Sequence, residues 1–401
     1  MIKIIFTLTL ILIQTLNLKS EEFKINEIIS GLDSPWSLTF KNQNEILITE
    51  KSGQILLVNL KDNIIRKLNH NLKILEDGQG GLLEILYYNN MIFVSYSENR
   101  GNGKSSTSVA SAFFDNENLQ FNNIFRAEPP INSGYHFGSR LIIKDNFLFI
   151  TVGERGKGMI AQDPSKHAGS IIKIHLDGSI PNDNPKFNGK DNLLYITAGE
   201  RGEGMIAQDP TKHPGSIIRI HLDGKIPKDN PKFKDKKNWL PEIFQIGVRN
   251  PQGMDLSPFD NKIYLTNHGA KGGDWFGEAI YGENYGWKIL GWGGTNYTGT
   301  KIGPKWKPGF TKAIKYWVPS IAVSSMVIYK GKEFNEWNGD ALITSLKDQS
   351  LRRIKFKNGN FISEKIIFKN VIGRIRDIEI QESTGRIFLL TDQGSIWKLH
   401  K

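Results

Sequence analysis

The stretch Gly134-Tyr135-His136-Phe137-Gly138-Ser139-Arg140-Leu141 decides how the rest of the chain reads. It sets one histidine just before an apolar run, Leu141-Ile142-Ile143. A polar turn, Asp145-Asn146, follows, and a second apolar run at 147–152 ends in Gly153-Glu154-Arg155-Gly156. Two apolar runs joined by so short a turn predict an antiparallel hairpin. The start of its first strand and the end of its second then share one sheet edge, which places His136 beside the loop at 153–156. A lone histidine in such a position is ordinarily a strand cap, so its meaning depends on what else reaches that edge.

The same unit recurs along the chain. Residues 36–40 pair with 45–49, 82–86 with 91–95, 141–143 with 147–152, 254–256 with 262–266, 325–329 with 340–344, and 375–380 with 386–390. Helical periodicity is scarce. Further strands follow most hairpins, at 54–58, 108–114, 169–175, 350–355 and 395–399. Three or four strands per unit and six units predict an all-β fold, a six-bladed β-propeller. The last unit runs out of chain after Leu399, and residues 23–29 offer a spare strand. That N-terminal strand is expected to complete the last blade and remove an open sheet edge.

Residues 1–20 read as a signal peptide, with Lys3 as the basic end and 4–16 as the apolar core. The propeller domain is then 21–401, and the expected location is periplasmic or secreted. No later stretch is apolar enough to span a membrane once the signal is removed. The chain has no cysteine, which excludes disulfides and zinc–thiolate sites. The net charge of +11 is spread along all 401 residues without a dense basic run, so it reads as a solvated surface and not as a nucleic-acid interface.

In a propeller the first strand of each blade lines the central channel, so starts of first strands and ends of second strands share one mouth. The residues placed there are Gln79, His136, Arg249, Asn250, Arg374 and Arg376 from first strands, with Glu154, Asn267, His268, Gly269 and Lys347 from second-strand ends. Four cations held together cost energy without an anion among them. The pattern alone therefore predicts a basic, amide-rich, glycine-lined pocket with one histidine.

One feature breaks the even spacing. Residues 148–192 and 194–238 are nearly identical, so that Glu154-Arg155 recurs as Glu200-Arg201 and Gln162 as Gln208. The duplicated strand–loop–strand segment either extends blade three or makes a partial extra blade. Closure of six units by residues 23–29 favours the extension.

The ordered motifs at 78–83, 136–141, 161–163, 178–185, 249–253, 268–274, 284–287, 319–322, 345–347 and 373–377 resemble those of the soluble aldose and glucose/sorbosone dehydrogenases that depend on pyrroloquinoline quinone (PQQ). The resemblance covers the mature chain and implies a six-bladed propeller. It implies an exported quinoprotein that oxidises the anomeric carbon of an aldose to the lactone and passes electrons to a soluble acceptor, as a monomer or homodimer. His136 resembles the general base, and a near-neutral imidazole suits that work. Arg249 resembles the cation that polarises the reacting quinone carbonyl, with Asn250 beside it. Lys347, Arg374 and Arg376 resemble the partners of the cofactor's carboxylates. Gln79 and either Gln162 or its twin Gln208 resemble residues of the sugar and cofactor pocket. Gly269 and Ala270 match the positions whose carbonyls bind Ca2+, which takes oxygen ligands whatever the side chain. Asp274 matches a structural or ion-binding acid.

Trp275-Phe276-Gly277 and Val323-Ser324-Ser325 depart from the family pattern near the mouth, where substrate preference is set. Trp292, Tyr297, Trp306 and Trp317 are candidates for stacking on the cofactor. The competing reading is a non-catalytic propeller that binds sugar or protein at the same mouth. A metal-dependent lactonase would need carboxylates where this mouth offers arginines and a lysine.

Overall fold

The computed structural model describes residues 23–115, 118–157, 160, 163, 165–181, 193–221 and 225–401. The expected signal peptide at 1–20 and Gln162 lie outside the described residues. Every sheet comes from short apolar runs separated by polar or glycine turns, and no α-helix forms among the described residues.

The described residues form seven sheets, not six. The first is Pro35–Phe40, Glu45–Glu50, Ile55–Asn59 and Ile65–His70, with Asn118–Leu119 added parallel at its edge, and the second is Leu82–Tyr88, Met91–Asn99, Ser105–Phe113 and Asn122–Arg126. The third holds Gly138–Lys144, Phe147–Val152 and Ile171–His175. The fourth holds Leu193–Ala198, Ser216–His221 and Ile243–Ile246. The fifth is Pro251–Leu256, Ile263–Asn267, Asp274–Glu278 and Lys315–Trp317, and the sixth is Val323–Ile328, Ala341–Ser345, Ser350–Lys357 and Asn360–Lys369. Ile375–Ile380, Ile387–Thr391 and Ile396–His400 make the seventh, which Lys24–Ile29 completes by pairing antiparallel with Ile396–His400.

The expectation of six blades, with the duplicated segment as an extension of the third, is thus corrected to a seven-bladed propeller. The cause is local. The second copy carries its own hairpin, Leu193–Ala198 with Ser216–His221, and borrows Ile243–Ile246 as an outer strand. A hairpin with an apolar face buries it by stacking as a separate sheet, where an extruded extension would leave it in water.

Two structural marks betray the newcomer. In the six other blades the inner hairpin is broken near its mouth end by a register shift, as between Gly138 and Leu141, Pro251 and Met254, or Ile375 and Asp377. Such bulges re-aim side chains. The Leu193–Ala198 hairpin pairs without one, because its inner strand is the twin of a second strand, Phe147–Val152. The twins also differ in burial. Phe147–Val152 is buried at five of six positions, whereas every residue of Leu193–Ala198 is only half-buried.

The core lies in the seams between blades. Phe93, Val109, Leu141, Leu148 and Ile150 fill the second–third seam, and Ile217, Phe244, Leu265, Trp275 and Tyr285 fill the fourth–fifth. The seam between the two copies is thinner: Phe147 and Phe149 pack against the half-buried Leu194.

Candidate active site

The histidine hairpin forms as expected, and its mouth is held by glycines. Gly153 donates to Phe137 O at 2.9 Å and Arg155 N to His136 O at 3.2 Å. A Cβ on Gly153 would lie 1.9 Å from His136 O, so no other residue fits there. His136 itself has φ 49°, a left-handed conformation uncommon outside glycine. Two contacts hold it. Its backbone N donates to Gln79 Oε1 at 2.9 Å, and its Nδ1 meets Glu154 Oε1 at 2.5 Å. Gln79 therefore serves here as a clamp on the histidine backbone.

Glu154 is 3% exposed. Burial works against its ionisation, but the His136 hydrogen bond and the Arg201 charge outweigh that and hold its carboxyl below the ordinary carboxylate range. Arg201 Nη1 lies 2.6 Å from the same Oε1. Its twin Arg155 does different work. Buried and stacked over Phe137 at 3.6 Å, it donates to the carbonyls of Ser105, Ser133 and Tyr135.

Arg249 sits across the mouth at the start of the fifth blade. Asn267 Oδ1 accepts from the backbone N of both Arg249, at 3.0 Å, and Asn250, at 2.8 Å. The guanidinium donates through Nη1 to Gly269 O at 2.6 Å and lies over the Trp287 and Tyr297 rings. Its Nε is buried without a hydrogen-bond partner, 3.9 Å from Glu200 Oε1. Asn250 Oδ1 accepts from Gln252 at 3.0 Å.

The Gly269 turn is built around Asp274. Its Oδ1 accepts from Gly269 N at 2.9 Å, and its Oδ2 from Ser320 Oγ and Ala322 N at 2.7 Å each. Lys347 N is anchored to the neighbouring Ile321 O at 3.0 Å, with its side chain exposed. From the seventh blade, Arg374 Nε and Arg376 Nε share Asp392 at 2.9 and 2.8 Å, and both remain about half exposed. His268 ties the cations to one place. Burial above all, with the charges of Arg249 and Arg376, depresses its pKa against the opposing pull of Asp274.

Contacts thus run from Gln79 through His136 and Glu154 to Arg201, and from its chain neighbour Glu200 through Arg249 and Gly269 to Asp274. These contacts join residues of the second, third, fourth and fifth blades, while Arg374 and Arg376 pair with Asp392 and Lys347 is held by its backbone to Ile321. Gln208 takes a different post. Its amide pairs reciprocally with Asn284 and donates to the Trp287 carbonyl. Ala270 is buried against Ala207 and Trp287. Of the aromatic candidates, Trp292 and Trp317 are core residues, while Tyr297 is 73% and Trp306 40% exposed. Sequence reasoning missed the roles of Asn267, Asp392 and the Glu200-Arg201 pair. The recurrence of Gly-Glu-Arg was the available signal for the last.

The donor set fits a flat polyanion such as PQQ. Lys347, Arg374 and Arg376 present exposed positive charge with one shared carboxylate, and Arg249 keeps an unpartnered buried N–H. For a Ca2+ ion the candidate donors are the Gly269 and Ala270 carbonyls. Gly269 O already accepts a cationic donor, and a carbonyl has a second lone pair. A Cβ on Gly269 would lie 2.2 Å from Gly272 O, so the tight turn aims that carbonyl.

The fold and mouth define a β-propeller with a cationic, histidine-bearing mouth, and its relatives share the fold. The Glucose / Sorbosone dehydrogenase family profile matches residues 32–191 and 187–398, with the break inside the duplication. The chain belongs to that family. Aldose sugar dehydrogenase YliI of Escherichia coli is 30% identical over 378 residues, 91% of this chain and 88% of that one. Quinoprotein glucose dehydrogenase B of Acinetobacter calcoaceticus is 25% identical over 476 residues, 95% of this chain and 88% of that one. The apo structure of the soluble aldose sugar dehydrogenase of Escherichia coli superposes with a TM-score of 0.62 at 26% identity, covering 94% of this chain and 99% of that one.

Proposed function

We propose that the chain, an oxidoreductase of this family, is an exported quinoprotein that oxidises the anomeric carbon of an aldose to the lactone. The observation that supports this reading is the pair of contacts, Glu154 with Arg201 and Glu200 with Arg249, by which adjacent residues of one loop link His136 to Arg249. With Nδ1 on Glu154, the neutral His136 ring keeps Nε2 as the nitrogen that takes the proton of the anomeric hydroxyl. Arg249 would stabilise the oxygen that gains charge, and Lys347, Arg374 and Arg376 would hold the carboxylates of the cofactor. PQQ, when bound, supplies the hydride acceptor, and Ca2+ on the Gly269 and Ala270 carbonyls a Lewis acid beside it. Electrons leave to a soluble acceptor.

A non-catalytic propeller that binds sugar or protein at the same mouth is the rival. The observation in its favour is that Glu200 and Arg201 of the second copy stand in the line between His136 and Arg249. Reconstitution separates the two. Titration with PQQ and Ca2+ followed by absorbance should show saturable uptake, and dye reduction should then respond to aldoses. Absence of both uptake and turnover would leave the non-catalytic reading.

A further inference from the structure

The duplication does more than add a blade, because its loop enters the site. Each copy of Gly-Glu-Arg has its own partners. Glu154 of the first copy meets His136, while Glu200 of the second approaches Arg249 and accepts from Gly204 N at 2.6 Å. Arg155 is buried in structural hydrogen bonds, while Arg201 ion-pairs across the seam with Glu154 of the other copy. That contact joins the fourth blade to the base of the third. It also falls on Oε1, the oxygen that receives the imidazole.

We propose that Arg201, supplied by the second copy, is a positioning residue for His136: it holds the Glu154 carboxylate in place and ionised against Nδ1 and sets how strongly the ring binds a proton at Nε2. This rests on the reading of His136 as the base. A buried carboxylate alone would tend to take up a proton and lose its grip on the imidazole tautomer. A second cation on the same oxygen prevents that. It also draws on the carboxylate charge that would otherwise favour imidazolium over the neutral ring. Glu154 and Arg201 are the charged groups in direct contact with this unit. The Tyr135 ring flanks the imidazole at 6.3 Å, and the Arg155 guanidinium, electrostatically coupled to Asp77, lies beneath on Phe137. None of these reaches Glu154 Oε1 as Arg201 does.

The test reads the imidazole without cofactor or sugar. Ring NMR signals of the apo chain are titrated, with His136 assigned by its loss in His136→Gln. In Arg201→Gln the His136 titration should move to higher pH by roughly one unit, a tenfold tighter proton. In Arg201→Lys, which keeps the charge, it should stay close to wild type, and in Glu154→Gln it should fall. The pH profile of kcat/KM in reconstituted protein should shift the same way. An unmoved His136 titration in Arg201→Gln, or one that Arg201→Lys shifts equally, overturns the proposal. Should Arg201→Gln fail to fold, the folded Arg201→Lys and Glu154→Gln proteins decide: a fall in Glu154→Gln with no change in Arg201→Lys supports it. A shifted titration in a chain that oxidises no aldose would leave the positioning intact and remove the catalytic reading instead.

Discussion

At the scale of single residues, the chemistry depends on how few groups touch His136. Gln79 holds its backbone and Glu154 its Nδ1, so the ring's orientation does not depend on a bound ligand. His136→Ala should therefore abolish turnover, by about a hundredfold or more, while PQQ uptake measured by absorbance stays near wild type. Loss of uptake together with turnover would assign His136 to cofactor binding. Position 153 is as constrained as His136: Gly153→Ala would drive its Cβ into His136 O. The residue types at this mouth were legible in sequence order, because hairpin periodicity says which ends share an edge. Their partners were not. Nothing in the sequence says that Asn267 caps two backbone N–H groups or that Asp392 is shared by two arginines. Those pairings are made across separate strands and loops that only blade geometry brings together.

At the scale of elements, two nearly identical strands behave differently because their neighbours differ. Phe147–Val152 is the second strand of its blade, flanked on both sides, and Leu193–Ala198 is the innermost of its own. Each fully buried apolar side chain contributes about 1.5–3 kcal/mol, and the seam between the copies holds two buried residues where the second–third seam holds eight. Local opening follows such differences. Amide hydrogen exchange should accordingly be faster in Leu193–Ala198 than in Phe147–Val152, and faster than in the inner strand Ile375–Ile380. Equal protection of the twins would mean that the seam is packed as firmly as the others.

At the scale of the whole molecule, the inner strands gather acids in the channel. Glu379, on the inner strand Ile375–Ile380, keeps an accessible side chain but is walled by protein. That enclosure first, and then the charges of Asp377, Glu84 and Asp255, push its pKa up to about 8 against the pull of Arg140. A carboxyl whose folded pKa lies above its ordinary 4.5 binds more protons folded than unfolded. The folded state then loses stability as pH rises from about 4.5 to about 8. Glu379→Gln should flatten that part of a Tm-versus-pH curve, and an unchanged slope would place the effect elsewhere in the cluster.

The sequence by itself determined the all-β class, the closing N-terminal strand and the family resemblance. All of these follow from short-range periodicity and from motif order. Blade number and the division of labour between Glu154-Arg155 and Glu200-Arg201 were decided only in three dimensions. Two identical segments carry identical local instructions, so which one buries its face, and which oxygen its arginine meets, depends on the sheets already standing on either side.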